Sequence, residues 1–374
     1  ASSYMNNLVT VLGDIGYNVG KNLLGAPYDW RYSPSGLARI GFYKELCSLI
    51  EKAYADNGNK SVKLVGHSYG SSVANFFLSS LVSVEWKRRY ISAFVSIGGA
   101  LEGSPVSLRA MLSGNSDQLN LMGITLLNPL HARYFERRTE CMYFLSPVWT
   151  PMWTNPPFDL AVVREGKFRQ TVYSNTAEDI LSLLGRVVDK NPSDVDATLA
   201  LQAFNATVIQ NDWQHLRDPG VPVYCLFNTD LPTEMAYIYR SERQFAERPE
   251  IEYGEGDGTV LTSSQFRCVH WDSTVDFRTF EGIDHFNLAR ENKVLDILVG
   301  WILPPPNTTE EDVHSRSFKK RNFLESMKMR SGKEEFLPQD FYETNEEYNR
   351  YWSHFGVLVL SLLAVFYLLR FLEH

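Results

Sequence analysis

Ser68 is the residue from which the chemistry of this chain is read. It stands in Gly66-His67-Ser68-Tyr69-Gly70, behind the apolar run Leu64-Val65 and ahead of Val73-Ala74-Asn75-Phe76-Phe77-Leu78 at helical spacing. Strand, tight turn and helix in that order are the setting of a nucleophile elbow, which raises a serine hydroxyl above a sheet. The flanking glycines fit the same reading, because backbone beside a strained turn comes too close for a Cβ. A hydroxyl is a weak nucleophile until a base takes its proton. Histidine is the usual base, oriented by a carboxylate that also stabilises the imidazolium. Behind such an elbow the chain order is Ser, acid, His. Asp257, in Gly256-Asp257-Gly258-Thr259, and His285, after Gly282-Ile283-Asp284, follow Ser68 in that order, each in a loop beside a predicted strand. His215 and His270 are rival bases whose segments offer no loop at a strand end. Asp272, Asp276 and Asp284 are rival acids, each read as solvated. His67, next to the nucleophile, is read as structural.

The elements that must position these side chains alternate. Tyr4 to Gly16 is expected to be a helix, with Met5, Leu8, Val9, Leu12 and Ile15 at steps of three and four. Asn22 to Pro27 reads as a short buried strand running into Tyr28-Asp29-Trp30-Arg31. Leu37 to Tyr54 resumes helical periodicity until Asp56-Asn57-Gly58-Asn59 stops it. The elbow strand and helix follow, then the apolar strand Ile91 to Ile97, closed by Gly98-Gly99. Strands and helices in alternation predict a parallel sheet covered on both faces. From Ser104 to Gly220 that rhythm breaks into a segment rich in aromatics and prolines. Its expected place is a cap over the carboxyl ends of the strands, where such sheets bind ligands. A separately packed subdomain is the alternative. The sheet resumes at Val221 to Phe227 and near Val275 to Phe280, and a last helix covers about Asn292 to Leu303.

Composition narrows the function. Over 374 residues the net charge is −8, which argues against a nucleic-acid partner. An apolar fraction of 44% with 21% charged residues describes a globular chain. Four cysteines are too few for a disulfide scaffold, and none has metal-ligand spacing. Neither a metal nor another cofactor is expected. Asn59, Asn205 and Asn307 begin N-x-S/T acceptor triplets, which point to the secretory route. Pro304-Pro305-Pro306 closes the domain that begins at residue 1 and ends at 303. Residues 304–351 are densely charged and are expected to form a linker or stalk. Phe355 to Leu372, with Arg370 reaching outward, is apolar over roughly 27 Å at about 1.5 Å per residue. With Tyr351 and Trp352 at its entry, residues 352–372 are expected to form one transmembrane helix, anchoring a luminal or extracellular catalytic domain. A buried C-terminal helix is the alternative.

The sequence resembles the lecithin:cholesterol acyltransferase family, which includes a lysosomal phospholipase. The carriers of the resemblance are Gly25-Ala26-Pro27-Tyr28-Asp29-Trp30-Arg31, Gly66-His67-Ser68-Tyr69-Gly70, Tyr224-Cys225-Leu226, Gly254-Glu255-Gly256-Asp257-Gly258-Thr259-Val260 and Ile283-Asp284-His285. The resemblance implies an α/β-hydrolase fold with a cap at 104–220 and the triad Ser68, Asp257, His285. It implies a disulfide between Cys225 and Cys268, with Cys47 and Cys141 left as thiols. It makes Tyr28, Asp29 and Trp30 the expected substrate-binding residues. The implied substrate is a membrane glycerophospholipid. Its acyl group passes through Ser68 to water or to a lipid hydroxyl, and the backbone N–H of Tyr69 serves the oxyanion.

Two departures accompany it. In this family a second oxyanion donor comes from a loop after an earlier strand, which would lie between the Leu23 and Leu64 strands. No such turn is present before Ser3, so the chain is expected to be a piece of a longer precursor with half an oxyanion hole. A complete chain would instead be an inactive, membrane-anchored lipid-binding relative. The second departure is Gly99-Ala100-Leu101-Glu102-Gly103, which stands where the family has Ala-Pro-Trp-Gly-Gly.

Overall fold

Neighbouring side chains in the central strands face opposite ways, and both ways are apolar. Phe94, Val223, Cys225 and Phe227 belong to one buried cluster, while Ala93, Val95, Tyr224 and Leu226 belong to another. Strands apolar on both faces must be covered on both, which is the condition for a parallel sheet between two layers of helices. The computed structural model describes residues 5–115, 129–146, 217–240 and 248–303. It also describes 120–121, 124–125, 161–165, 169–173, 182–185, 198, 201–202, 245 and 356–360.

Twelve strands are described: β1 (Leu23–Gly25), β2 (Val62–His67), β3 (Ile91–Ile97), β4 (Asn120–Leu121), β5 (Ile124–Thr125), β6 (Ala161–Glu165), β7 (Arg169–Tyr173), β8 (Val223–Asn228), β9 (Leu231–Tyr239), β10 (Glu250–Gly256), β11 (Thr274–Phe280) and β12 (Gly356–Leu360). Six form the main sheet in the order β1-β12-β2-β3-β8-β11. Every pairing in it is parallel. Helices Phe42–Asp56 and Tyr69–Phe76 cover one face. Helices Asn6–Asp14 and Asn292–Ile302 cover the other.

The expected helix over 37–54 is two helices, Pro34–Arg39 and Phe42–Asp56. Gly41 between them has φ +90°, a left-handed conformation that interrupts the ladder. A second sheet, ordered β10-β9-β6-β7, stands apart from the first. Helix Pro105–Ser113 is tied to it through Arg109, whose guanidinium makes a two-point bond with Glu234 of β9 at 2.7 and 2.8 Å. The second sheet ends at Gly256, so it is β10 that delivers Asp257.

The transmembrane helix expected over 352–372 is corrected in its first half: residues 356–360 are β12, a strand of the main sheet. β12 pairs in parallel with β1 through Leu23↔Val357 and with β2 through Leu64↔Leu358. It therefore fills the place between the Leu23 and Leu64 strands. An unbroken apolar run reads equally as a membrane helix or as a central parallel strand, since both are apolar all round. Two strand edges facing one another across that gap favour the strand, because buried backbone N–H and C=O groups require partners. The rest of 352–372 lies outside the described residues, and so does the charged stretch 304–351. Among the described residues no helix is long and apolar enough to cross a membrane.

Cys225 and Cys268 form a disulfide, and Cys47 and Cys141 are free. Asn59 is exposed beyond the helix Phe42–Asp56, whereas Asn205 and Asn307 lie outside the described residues.

Candidate active site

The elbow is built by close approach. Ser68 has φ +55° and ψ −127°, a conformation L-residues seldom adopt. Its amide donates to Ile97 O at 2.9 Å, and its carbonyl accepts from Ser71 N at 3.0 Å. A Cβ on Gly66 would stand 2.8 Å from Gly70 O and from the N and Cα of Ser71, all main-chain atoms. Glycine is thus required there by space, with no need of an unusual φ. Tyr69 opens the helix behind the serine, where N–H groups have no intrahelical partner.

His285 reaches the hydroxyl from the loop that follows β11. Its Nε2 lies 2.8 Å from Ser68 Oγ, and its Nδ1 lies 2.6 Å from Asp257 Oδ2. The other carboxylate oxygen of Asp257 accepts from Thr259 N at 3.0 Å and Val260 N at 2.7 Å. The side chains of His285 and Asp257 are 3% and 0% exposed, so both work out of water. His285 N also donates to Asp257 O at 2.9 Å.

The loops carrying these groups are pinned from several directions. Asn228 Nδ2 donates to Ile283 O, and Gln265 Nε2 donates to Val260 O at 2.8 Å. Ser104 Oγ donates to Thr259 O at 2.6 Å. A Cβ on Gly256 would meet Val260 O at 2.4 Å and Thr233 Oγ1 at 2.5 Å. Gly98, at φ +52°, would bring a Cβ to 3.3 Å from His285 Nδ1 and 3.4 Å from Asp257 Oδ2. The glycines of both motifs are therefore the space into which the site folds.

The rivals are engaged elsewhere. Asp276 sits in β11, where Arg278 pairs with it and Trp301 Nε1 donates to it at 3.2 Å. Asp284 accepts from the backbone of Phe286 at 3.0 Å and of Asn287 at 3.1 Å. Asp272 is exposed. His270 stands edge-on to Phe266, 4.9 Å between centroids. His215 lies outside the described residues.

Of the expected substrate-binding residues, Tyr28 is a buried ring packed on Phe42 and Tyr69. Arg31 pairs with the carboxylate of Asp29 and holds its pKa below the ordinary value. Trp30, half-buried, packs on Phe135 at 5.9 Å. In the departing loop, Glu102 is buried 3.6 Å from Arg267, and its amide donates to Ser264 Oγ at 2.9 Å.

One residue the sequence reading left aside is in direct contact with the base. The ring of His67 lies 4.7 Å from that of His285, and its Nε2 lies 2.9 Å from His285 O. Adjacency to Ser68 was the available signal. Among the described residues no group of His, Cys, Asp or Glu is arranged to hold a metal ion.

Comparison with known proteins identifies the family. The sequence pattern of the lecithin:cholesterol acyltransferase family matches residues 1–292. A lecithin-cholesterol acyltransferase-like 1 protein of Arabidopsis thaliana is 30% identical over 79% of this chain and 64% of its own length. The lysosomal phospholipase A and acyltransferase of Canis lupus familiaris is 30% identical over 81% of this chain and 68% of its own. The phosphatidylcholine-sterol acyltransferase of Gallus gallus is 29% identical over 79% and 66%. The chain thus spans about two thirds of the length of the curated relatives it matches. The chain belongs to the lecithin:cholesterol acyltransferase family.

Proposed function

We propose that the chain is a serine-dependent O-acyltransferase and phospholipase of the α/β-hydrolase fold, with residues 104–220 contributing its cap. One observation carries the reading: Ser68 Oγ, His285 Nε2, His285 Nδ1 and Asp257 Oδ2 lie in one line of hydrogen bonds, 2.8 and 2.6 Å long. The names of the relatives supply the reaction class, acyl transfer from phosphatidylcholine or another phospholipid.

In the proposed mechanism Ser68 attacks the ester carbonyl of a glycerophospholipid while His285 accepts the hydroxyl proton. Asp257, which accepts from two backbone N–H groups and pairs with the imidazole, stabilises the imidazolium. The tetrahedral oxyanion points toward Tyr69 N–H, and each such donor is worth about 2.7–4 kcal/mol in the transition state. His285 then protonates the leaving lysophospholipid oxygen, and an acyl-serine remains. Water or a lipid hydroxyl attacks it next, again losing its proton to His285. No metal or organic cofactor takes part in this scheme. The name of the lysosomal relatives and the exposed Asn59 acceptor triplet support a secretory-pathway lumen.

The test is to supply phosphatidylcholine labelled in its acyl chains, in vesicles containing a sterol, ceramide, diacylglycerol or no acceptor. Release of lysophospholipid that disappears in Ser68→Ala supports the reading, and the labelled product identifies the acceptor. Bound vesicles with no lysophospholipid from wild-type protein would overturn it in favour of a lipid-binding relative without turnover.

A further inference from the structure

The hydrogen bond between Ser68 and His285 is broken and remade in every turnover of an acyl-serine mechanism, so it is a poor device for keeping the two residues together. The acid does not supply the missing tie. Asp257 is bonded to His285 twice, through Nδ1 to Oδ2 at 2.6 Å and from the His285 amide to Asp257 O at 2.9 Å. Both bonds bind base to acid, and neither ties the pair to the nucleophile.

His67 supplies such a tie. It is covalently joined to Ser68, and its Nε2 stands 2.9 Å from the carbonyl oxygen of His285. A carbonyl only accepts, so Nε2 carries the proton and donates. The base is therefore clamped at both ends of its own main chain: its N–H to the acid, its C=O to the residue beside the nucleophile. The rings of the two histidines also lie in tilted contact, 4.7 Å between centroids, which limits rotation of the catalytic imidazole. Burial, with the nearby His285 and Arg290, holds the pKa of His67 well below its ordinary value. It therefore stays neutral beside the imidazolium formed at His285, where a second positive charge would oppose proton transfer.

We propose that His67 is a positioning residue for the catalytic base, holding the His285 main chain in register with Ser68. The proposal rests on the catalytic reading of Ser68, Asp257 and His285. It separates a donor role from simple filling of space, and three substitutions tell these apart. His67→Phe keeps a ring against His285 and removes the N–H. His67→Gln removes the ring and keeps an amide N–H at the reach of Nε2. His67→Asn keeps an amide but is one bond too short.

The experiment measures kcat and KM of the full chain on a soluble ester and the rate of covalent labelling by a fluorophosphonate. Thermal midpoints are recorded alongside. Displacement of a reacting group by about 1 Å costs about 100-fold. His67→Phe and His67→Asn are expected to lose about 10- to 100-fold in kcat with KM nearly unchanged. His67→Gln is expected to return most of that loss. Should His67→Phe fail to fold, the comparison of Gln with Asn carries the same distinction. Equal activity of all three variants and wild type, or a loss in Gln as great as in Asn, overturns the proposal. Wild-type protein without Ser68-dependent turnover or labelling overturns instead the reading beneath it, and the proposal falls with it.

Discussion

Gly66→Ala adds one methyl group and changes no chemical group of the triad, which makes it a sharp test of the elbow. The new Cβ would lie 2.8 Å from three main-chain atoms, where ordinary contact begins at 3.4 Å, so the turn must open by about 0.6 Å. No flexible side chain is present among those three atoms to yield instead. The bond from Ser71 Oγ to Gly66 O, 2.9 Å long, lies across the same turn and must adjust with it. Overpacking of this kind costs about 1–3 kcal/mol. The thermal midpoint is then expected to fall by about 2–5 °C in a domain of this size. Displacement of the Ser68 hydroxyl from His285 is expected to slow covalent labelling by a fluorophosphonate about 10- to 100-fold. Both quantities are read on one preparation, by scanning fluorimetry and by timed labelling. A midpoint equal to wild type together with a labelling rate within twofold would refute the close-approach reasoning.

Other perturbations separate the remaining claims. Asp257→Asn is expected to lower kcat about 10,000-fold, measured on a soluble ester, by imposing the wrong imidazole tautomer. Its fold should persist, since the amide oxygen can still accept from Thr259 and Val260. Arg109→Met leaves the largely buried Glu234 carboxylate with the Tyr237 hydroxyl donating to it and, among the described residues, no cation beside it, and is expected to cost about 3–5 kcal/mol in denaturant unfolding. Adding Glu234→Gln should recover much of that. Burial pushes the Glu136 carboxyl up to about 8, so between roughly pH 5 and 8 it is protonated in the fold and ionised in the unfolded chain. Its contribution to stability is present at low pH and is lost as pH rises through that window. Glu136→Gln should flatten this part of the midpoint–pH curve, and an unchanged slope would remove the assignment.

What the sequence disclosed follows from how local each signal is. Ser68, Asp257 and His285 were legible because each lies in a short loop whose glycines are needed at the same spot, as the crowding at Gly66 and Gly256 illustrates. Ile91–Ile97 was legible because a strand covered on both faces is apolar throughout. The break at Gly41 was not, since helical periodicity continues across it and only a left-handed φ ends the first helix. The bond from His67 to His285 joins positions 218 residues apart, and no spacing in the chain encodes it. The pairing of buried Arg109 with Glu234 likewise depends on how helix Pro105–Ser113 meets the second sheet. The apolar run ending the chain failed for a different reason. Its composition suits a bilayer and a central strand alike, and the open place between β1 and β2 decides between them at residues 356–360.

The central claim is that Ser68 becomes acylated with His285 as its base. It is tested most directly by incubating the full chain with a fluorophosphonate or a slow ester substrate and locating the adduct by peptide mass spectrometry. The account predicts a single adduct on Ser68, absent in Ser68→Ala and formed far more slowly in His285→Ala. An adduct on another residue, or lysophospholipid release that persists in Ser68→Ala, would contradict it.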